Sequence, residues 1–218
     1  GLSNSGLMNQ SIFSGLGTQV GDTFNRLIAK GYRVAICEQM ELPGPGKKLV
    51  RREITRIVTP GTATDSNMLR SRENNYLAAV VRQKEHAGVA YVDVSTGEFR
   101  CTELAGEEVV PALESWNVRE VLLPEGATLD GVRTKTSVDA WVFDHDYADR
   151  ILKEHFGLLS LDGCGLAGRP LATAAAGAIL HYLRDTQRAA LSHVERPSFF
   201  DRGEAMVLDA VTVRNLEL

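Results

Sequence analysis

Basic residues are concentrated in one short stretch, "KKLVRREITRIV", which otherwise has the aliphatic pattern of a β-strand. Five of them lie between positions 47 and 56, opposed by a single acid: Lys47, Lys48, Arg51, Arg52 and Arg56. In an ideal strand, alternation places Arg52 and Arg56 on one face, about 13 Å apart, and Arg51 on the other. Such side chains can contact separate phosphates of a nucleic-acid backbone, which orients a duplex without reading its sequence. The alternative is an edge strand protected by charge.

A second possible chemistry is metal-dependent cleavage of nucleic acids. Two-metal nucleases need several carboxylates that converge, so that two divalent ions lie about 4 Å apart. Four acids fall on or beside predicted strands: Asp93, Glu98, Glu120 and Asp144. We favour the interpretation that they are solvated strand ends. Magnesium-dependent cleavage by the chain, abolished by Asp93→Asn, would instead establish a nuclease.

Other site motifs are weak or missing. The string "GCGLAG" matches G-x-G-x-x-G, but no strand precedes it, and the acid about 20 residues later, Asp185, falls inside a predicted helix. The phosphate-binding pattern G-x-x-x-x-G-K-[ST] does not occur, so we expect no ATPase activity from this chain. The five histidines and three cysteines lack metal-ligand spacing. We therefore predict no catalytic residue, metal site or cofactor here.

Composition favours a globular intracellular protein. Of the 218 residues, 44% are hydrophobic, which supplies a real core, and the net charge of -4 means that any anion must be bound by a local cluster. The odd number of cysteines favours a reducing compartment. No apolar run approaches the roughly 20 residues of a membrane span. We expect a cytoplasmic protein that does not contact a membrane.

The elements before residue 60 are a helix and two strands. One helical stripe runs through "VGDTFNRLIAKG", and Asp22 or Thr23 can cap its start. A buried strand over residues 34–37 and the arginine-containing strand follow. The first 19 residues have no predicted element.

From residue 75 the pattern changes. Three β-rich runs separated by short turns predict an antiparallel meander. A helix, two strands ("VREVLLPEG" and "AWVFD") and a helix capped by Asp144 or Asp146 follow. The longest helix begins at Pro170, and its small-residue face is expected to pack closely on a sheet. The order β, β, β, α, β, β, α, α matches the ribonuclease H-like arrangement.

The predicted fold class is therefore α/β. A small mixed α/β unit is followed by a ribonuclease H-like domain, with a mixed sheet and flanking helices, and by a truncated helical start. The expected boundaries are residues 1–60 for the first unit, 61–75 for a linker, 76–192 for the second domain and 193–218 for the beginning of a third.

The segment "GYRVAICEQMELPGPGKKLVRREITRIVTPGTATD" resembles the end of the mismatch-recognising domain of the MutS family of bacterial DNA mismatch repair proteins. The Val-Ala-Ile-Cys-Glu-Gln strand, the Val-Arg-Arg-Glu strand and the Arg-Ile-Val-Thr-Pro-Gly-Thr exit occur in the family's order and spacing. The resemblance continues through "NNYLAAV", "GVAYVDVSTGEF", "AAAGAILHYLRDTQRAAL" and "MVLDAVTVRNLEL". These are similar to the family's connector domain and to the first helix of its core (lever) domain.

The resemblance implies a binding and communication segment without enzymatic activity. Full-length members of the family are dimeric clamps that bind mispaired duplex DNA, use ATP and magnesium, and recruit MutL. Their connector has a ribonuclease H-like fold without nuclease activity and is part of the MutL-docking surface. The Phe-x-Glu motif that stacks on a mispaired base and the ATPase domain are absent from this sequence. Mismatch selectivity and ATPase activity are therefore not expected of this chain alone.

The resemblance also singles out residues by position. Arg52 and Arg56 match basic positions of the family's domain-ending strand and become the main candidates for DNA-backbone contact. The lesser candidates are Arg51, Lys47 and Lys48. For MutL docking, the helix over residues 147–156 provides the candidates Arg150, Ile151 and Phe156.

Overall fold

The computed structural model describes residues 2–4, 17–39, 52–63, 74–187 and 191–201. Within these ranges the strands form two sheets, one of three strands and one of six. None of the helices in the described part of the chain is long and apolar enough to cross a membrane.

The three-stranded sheet belongs to the first unit. Its elements are β1 (Leu2–Asn4), α1 (Gly17–Ala29), β2 (Val34–Gln39) and β3 (Arg52–Val58). β1 is parallel to β2, and β2 is antiparallel to β3. The helix packs on the sheet because Phe24 and Ile28, four residues apart on one helical stripe, are buried against Val58.

Two expectations for this unit are wrong. The first 19 residues contain β1 and the start of α1, because β1 gains its hydrogen bonds from β2, a partner that local pattern does not reveal. α1 begins at Gly17, five residues before Asp22, so neither Asp22 nor Thr23 caps it.

The six-stranded sheet is flanked by three α-helices within the described residues. Its elements are β4 (Tyr76–Gln83), β5 (His86–Asp93), β6 (Phe99–Ala105), α2 (Val109–Ser115), β7 (Glu120–Pro124), β8 (Lys135–Val138), α3 (His145–Phe156), α4 (Pro170–Gln187) and β9 (Ser198–Phe199). The strand order is β8-β7-β4-β5-β6-β9. β4, β5 and β6 form the predicted antiparallel meander, and β7 and β8 add parallel strands beyond β4. This mixed sheet with flanking helices confirms the α/β, ribonuclease H-like fold class.

Both faces of this sheet are buried, so β4 is apolar at consecutive positions instead of alternating with polar residues. Leu77 and Ala79 lie in the core beneath α3 and α4, whereas Ala78 and Val80 lie in the core beneath α2. Each face therefore carries its own apolar layer.

The segment "AWVFD" is not the strand that its apolar pattern predicts. Residues Ala140–Phe143 form a short 3₁₀ helix, and the strand at this edge is β8, just before it. Val142 and Phe143 are adjacent, yet both are buried in the same core. Neighbouring residues of a strand point to opposite faces, so such a pair is incompatible with a strand.

The capping prediction for α3 is confirmed. The Asp144 carboxylate accepts hydrogen bonds from the backbone N–H groups of Asp146 and Tyr147 at 3.0 and 3.1 Å. Gly157 ends the helix in a left-handed conformation, with φ of 63°.

The small-residue face of α4 packs on α3 as well as on the expected sheet. Ala172, Ala175 and Ala176 lie in the core that α4 shares with the sheet. Gly177, by contrast, meets α3: a Cβ at this position would lie 2.3 Å from the Cβ of Ala148. Glycine at 177 therefore sets the closest approach between the two helices.

Candidate functional site

The arginine-containing strand β3 pairs with β2 in a register that includes a bulge. Arg56 is opposite Ile36, but the next residue of β2, Cys37, is opposite Ile54, so Thr55 is an extra residue. The Thr55 hydroxyl donates a hydrogen bond to the carbonyl of Ile36 at 3.3 Å. A bulge shifts the alternation of a strand by one position and re-aims its side chains.

The expectation that Arg52 and Arg56 share a face is therefore wrong. Arg52 is opposite Gln39, beyond the bulge, and is out of phase with Arg56. Arg56 is half-buried at the register position opposite Ile36. The lesser candidates lie outside the described residues: Arg51, Lys47 and Lys48.

β3 runs directly into a buried turn, Thr59 to Thr62. The hydroxyl of Thr62 accepts a hydrogen bond from the backbone N–H of Thr59 at 3.0 Å, and the backbone N–H of Thr62 donates to the carbonyl of Thr59 at 3.1 Å. Both threonines are buried. These contacts close the Thr-Pro-Gly-Thr sequence into a compact unit, which we call the exit turn.

The exit turn packs against Glu120, a residue of β7. Glu120 is completely buried, and its Oε2 accepts a hydrogen bond from the backbone N–H of Gly61 at 2.9 Å. Its Oε1 accepts from the hydroxyls of Thr136 and Tyr182 at 2.7 and 2.9 Å. Burial and the adjacent Glu120 carboxylate raise the pKa of Tyr182, so its hydroxyl keeps its proton at pH values where a tyrosine in water would lose it.

Further contacts hold the exit turn to the six-stranded sheet. The Asn75 side chain donates hydrogen bonds to the carbonyls of Pro60 and Ala63 at 2.9 and 3.0 Å. At the other end of the turn, the amide of Gln187 donates to the carbonyl of Ile57 at 3.4 Å. The end of β3 is thus fixed by residues from β7, from α4 and from the segment before β4.

Asp93 and Glu98 flank the turn that joins β5 to β6. Asp93 is buried, and its Oδ1 accepts hydrogen bonds from the backbone N–H and the hydroxyl of Ser95 at 2.8 and 2.5 Å. Its Oδ2 accepts from the backbone N–H of Asn75 at 3.3 Å. Glu98 accepts from the hydroxyl of Tyr76 at 2.8 Å. Both acids therefore have structural partners at this end of the strands.

The other two candidate nuclease acids lie elsewhere. β4 pairs Tyr76 with Asp93 and Leu77 with Glu120, so Asp93 and Glu120 are on opposite faces of the sheet. Asp144 is the exposed cap of α3. Within the described ranges, no group of three or more His, Cys, Asp or Glu side chains could hold a metal ion. The four acids do not form the convergent cluster that two-metal cleavage requires.

Comparison with known proteins decides the family. The profile of MutS domain I matches residues 13–67, and that of MutS domain II matches residues 75–195, more than half of the chain. The chain belongs to the MutS family. Proteins named DNA mismatch repair protein MutS are similar to it: 63% identical over 201 residues in Solibacter usitatus, and 44% identical over 204 residues in Anaeromyxobacter dehalogenans. The alignments cover 89% and 88% of this chain, but the chain spans only 23% of each relative.

The MutS assignment confirms the resemblance seen in the sequence and relates the exit turn to the domain arrangement. The turn follows β3, within the MutS domain I match, and rests on Glu120, within the MutS domain II match. The contacts around Glu120 therefore join the two matched regions.

The three docking candidates on α3 differ in accessibility. Ile151 is 5% exposed and belongs to the core between α3, α4 and the sheet, so its choice as a partner contact is wrong. It lies one turn from Tyr147, on the inward side of the helix. Arg150 is exposed, with its guanidinium carbon 5.6 Å from the centroid of the Tyr147 ring. Phe156 is half-buried against the same core.

An aromatic cluster beside Arg150 was missed by sequence reasoning. Trp141, 53% exposed, has its ring centroid 5.0 Å from that of Tyr147 and 5.2 Å from that of His181. The Tyr147 hydroxyl lies 2.6 Å from Nδ1 of His181. Burial lowers the pKa of His181, although Asp185 and Asp139 oppose the shift. The incorrect strand prediction for "AWVFD" concealed this cluster, because it placed Trp141 in a sheet.

Proposed function

We propose that this chain is the part of a MutS-type mismatch recognition protein that joins the DNA-binding region to the connector domain. In the longer protein, it helps to bind duplex DNA that contains mispaired bases and passes the signal to MutL. The chain itself supplies phosphate contacts and a docking surface, and no catalytic step. ATP and magnesium are bound by other regions of the longer protein, which acts as a homodimer in the cytoplasm.

The observation that carries this proposal is the match to two successive MutS domains, together with relatives named for DNA mismatch repair. The local chemistry agrees with it. β3 carries both phosphate-contact candidates, Arg52 and Arg56, and because the bulge puts them out of phase, we expect each to contact a phosphate independently of the other. For MutL, the exposed Arg150 and the half-buried Phe156 remain the candidates.

The test for DNA contact is the salt dependence of binding. We expect the 218-residue chain to bind a short duplex weakly, with similar affinity for a perfect duplex and one with a single mismatch. Each phosphate contact contributes about 0.9 to the slope of log affinity against log salt concentration. Arg56→Ala should therefore reduce the steepness of the slope by about 1 for either duplex.

Arg150→Ala is the matched control, because it removes an arginine from a different surface of the same chain. It should leave the DNA slope unchanged and weaken the capture of purified MutL, whereas Arg56→Ala should do the reverse. An Arg56→Ala variant with an unchanged slope and a lowered melting temperature would show that Arg56 is structural. Tight, mismatch-selective binding by this chain would contradict the assignment of selectivity to other regions.

A further inference from the structure

We propose that the Glu120 carboxylate is a positioning group that locks β3 and its exit turn to the six-stranded sheet. In this view, the two sheets keep one relative orientation because this buried side chain, on β7 of the six-stranded sheet, accepts a hydrogen bond from the turn that follows β3 as well as from β8 and α4. The inference goes beyond DNA or MutL binding and depends on neither.

Burying a carboxylate is costly. An ionised carboxylate without partners is strongly disfavoured away from water, and it persists there only when hydrogen bonds satisfy it. Glu120 is completely buried and receives hydrogen bonds from Gly61, Thr136 and Tyr182. These donors lie on the exit turn, on β8 and on α4, so the carboxylate is satisfied only when all three elements are in place.

The exit turn packs closely against β7 and β4. Gly61 is buried, and a Cβ at this position would lie 2.9 Å from the Cβ of Glu120 and 3.0 Å from that of Leu77. Only glycine allows the backbone to approach the strand so closely. If the turn moved away, the carboxylate would lose a donor, and the Gly61 N–H would lose its acceptor.

Tyr182 links Glu120 to the first unit. Besides its hydrogen bond to Glu120, its ring lies 5.6 Å from the guanidinium carbon of Arg33, in the segment before β2. One turn further along α4, Thr186 is buried, and Gln187 donates to the carbonyl of Ile57. The last turns of α4 thus contact the first unit, and Glu120 orients the tyrosine at the centre of that contact.

The test compares Glu120→Gln with Glu103→Gln in the 218-residue chain. Glu103 has similar chemistry away from the exit turn, because its Oε1 accepts hydrogen bonds from the backbone N–H groups of Leu171 and Ala172, both at 3.1 Å. Amide hydrogen exchange, measured by NMR, reports each site separately. Glutamine keeps only one acceptor oxygen for the three donors, so exchange at Gly61 should speed by about 10- to 100-fold in Glu120→Gln. Exchange at β5 should not change.

A second measurement on the same samples reports orientation. Residual dipolar couplings from the two sheets should fit one alignment tensor in the wild type and in Glu103→Gln, but require two tensors in Glu120→Gln. A single tensor in Glu120→Gln would overturn the proposal. So would unchanged exchange at Gly61, or exchange that rises equally in both sheets, since a general loss of packing would do that.

Tyr182→Phe covers the case in which Glu120→Gln does not fold. It removes one hydroxyl donor and keeps both the ring and the carboxylate. We expect faster exchange at Gly61, by about 3- to 10-fold for the loss of one hydrogen bond, with β5 again unaffected. Unchanged exchange at Gly61 in this variant would count against the locking role.

Discussion

The closest contact between α3 and α4 gives a prediction in which two effects oppose each other. Replacing glycine by alanine inside a helix normally stabilises the helix by about 1 kcal/mol. At Gly177, however, the new Cβ would lie 2.3 Å from the Cβ of Ala148 and 2.6 Å from its Cα. Carbon atoms in contact prefer about 3.5–4.0 Å, so the helices must separate by more than about 1 Å.

The steric effect should dominate in Gly177→Ala. Overpacking a close-packed core costs about 1–3 kcal/mol, and separating α3 from α4 also loosens the core that contains Ile151 and Leu152. A contact of 2.3 Å calls for the upper part of this range, about 2–3 kcal/mol, so subtraction of the helix-propensity gain of about 1 kcal/mol leaves an expected net loss of about 1–2 kcal/mol in the free energy of unfolding. For a chain of this size, the melting temperature should fall by about 2–8 °C.

The assay is denaturant unfolding followed by circular dichroism, with Gly163→Ala as the control. A Cβ at Gly163 would have no atom within 4 Å, so the control should change stability by less than about 0.5 kcal/mol. Adding Ala148→Gly to Gly177→Ala should restore part of the lost stability, because it removes the Cβ of Ala148, with which the new Cβ at position 177 clashes. A Gly177→Ala variant that is as stable as the wild type, or additive behaviour in the double variant, would refute the reasoning.

Two further predictions concern the same helices. Asp144→Ala removes the cap that receives the N–H groups of Asp146 and Tyr147, and should lower the free energy of unfolding by about 1 kcal/mol, measured by urea unfolding. Burial lowers the pKa of His181, with a smaller contribution from Arg184 and opposition from Asp185 and Asp139. The unfolded state therefore takes up a proton near its usual pKa of about 6.5, while the folded state does so at lower pH. The contribution of His181 to stability should be complete above the unfolded-state pKa of about 6.5 and should decline as the pH falls below it. His181→Gln should flatten this decline when unfolding is measured between pH 7.5 and 5.5. An equally steep decline in His181→Gln would show that other groups cause it.

Local pattern was enough for the elements that depend on neighbours in sequence. The meander of β4, β5 and β6 follows from apolar runs separated by short turns, and α3 follows from the Asp144 cap and its apolar stripe. The order of elements predicted the ribonuclease H-like arrangement, although the last of its strands is β8 and not the segment "AWVFD". The family resemblance predicted what composition could not, namely membership of the MutS family.

Features that depend on distant partners were missed. The bulge at Thr55 exists only in the pairing of β3 with β2, so strand alternation gave the wrong relation between Arg52 and Arg56. Ile151 was chosen from the helix expected to dock MutL, although the stripe that forms the helix also buries this residue. In both cases the correct answer required knowing what lies opposite the residue.

The partners of Glu120 are also distant in sequence, and they argue against the nuclease alternative. In the sequence, Glu120 is an acidic residue on a predicted strand, and a two-metal site would use residues of this type. Its oxygens, however, are turned towards donors that are 59, 16 and 62 residues away in sequence. A carboxylate has about four lone-pair directions, and three here face N–H or O–H groups. The hydroxyls of Thr136 and Tyr182 could rotate away and leave Oε1 free, but the backbone N–H of Gly61 can only donate. A cation bound by both oxygens of Glu120 would therefore have to displace the exit turn. The same hydrogen bonds that join this acid to the exit turn make it unsuitable for binding a metal ion.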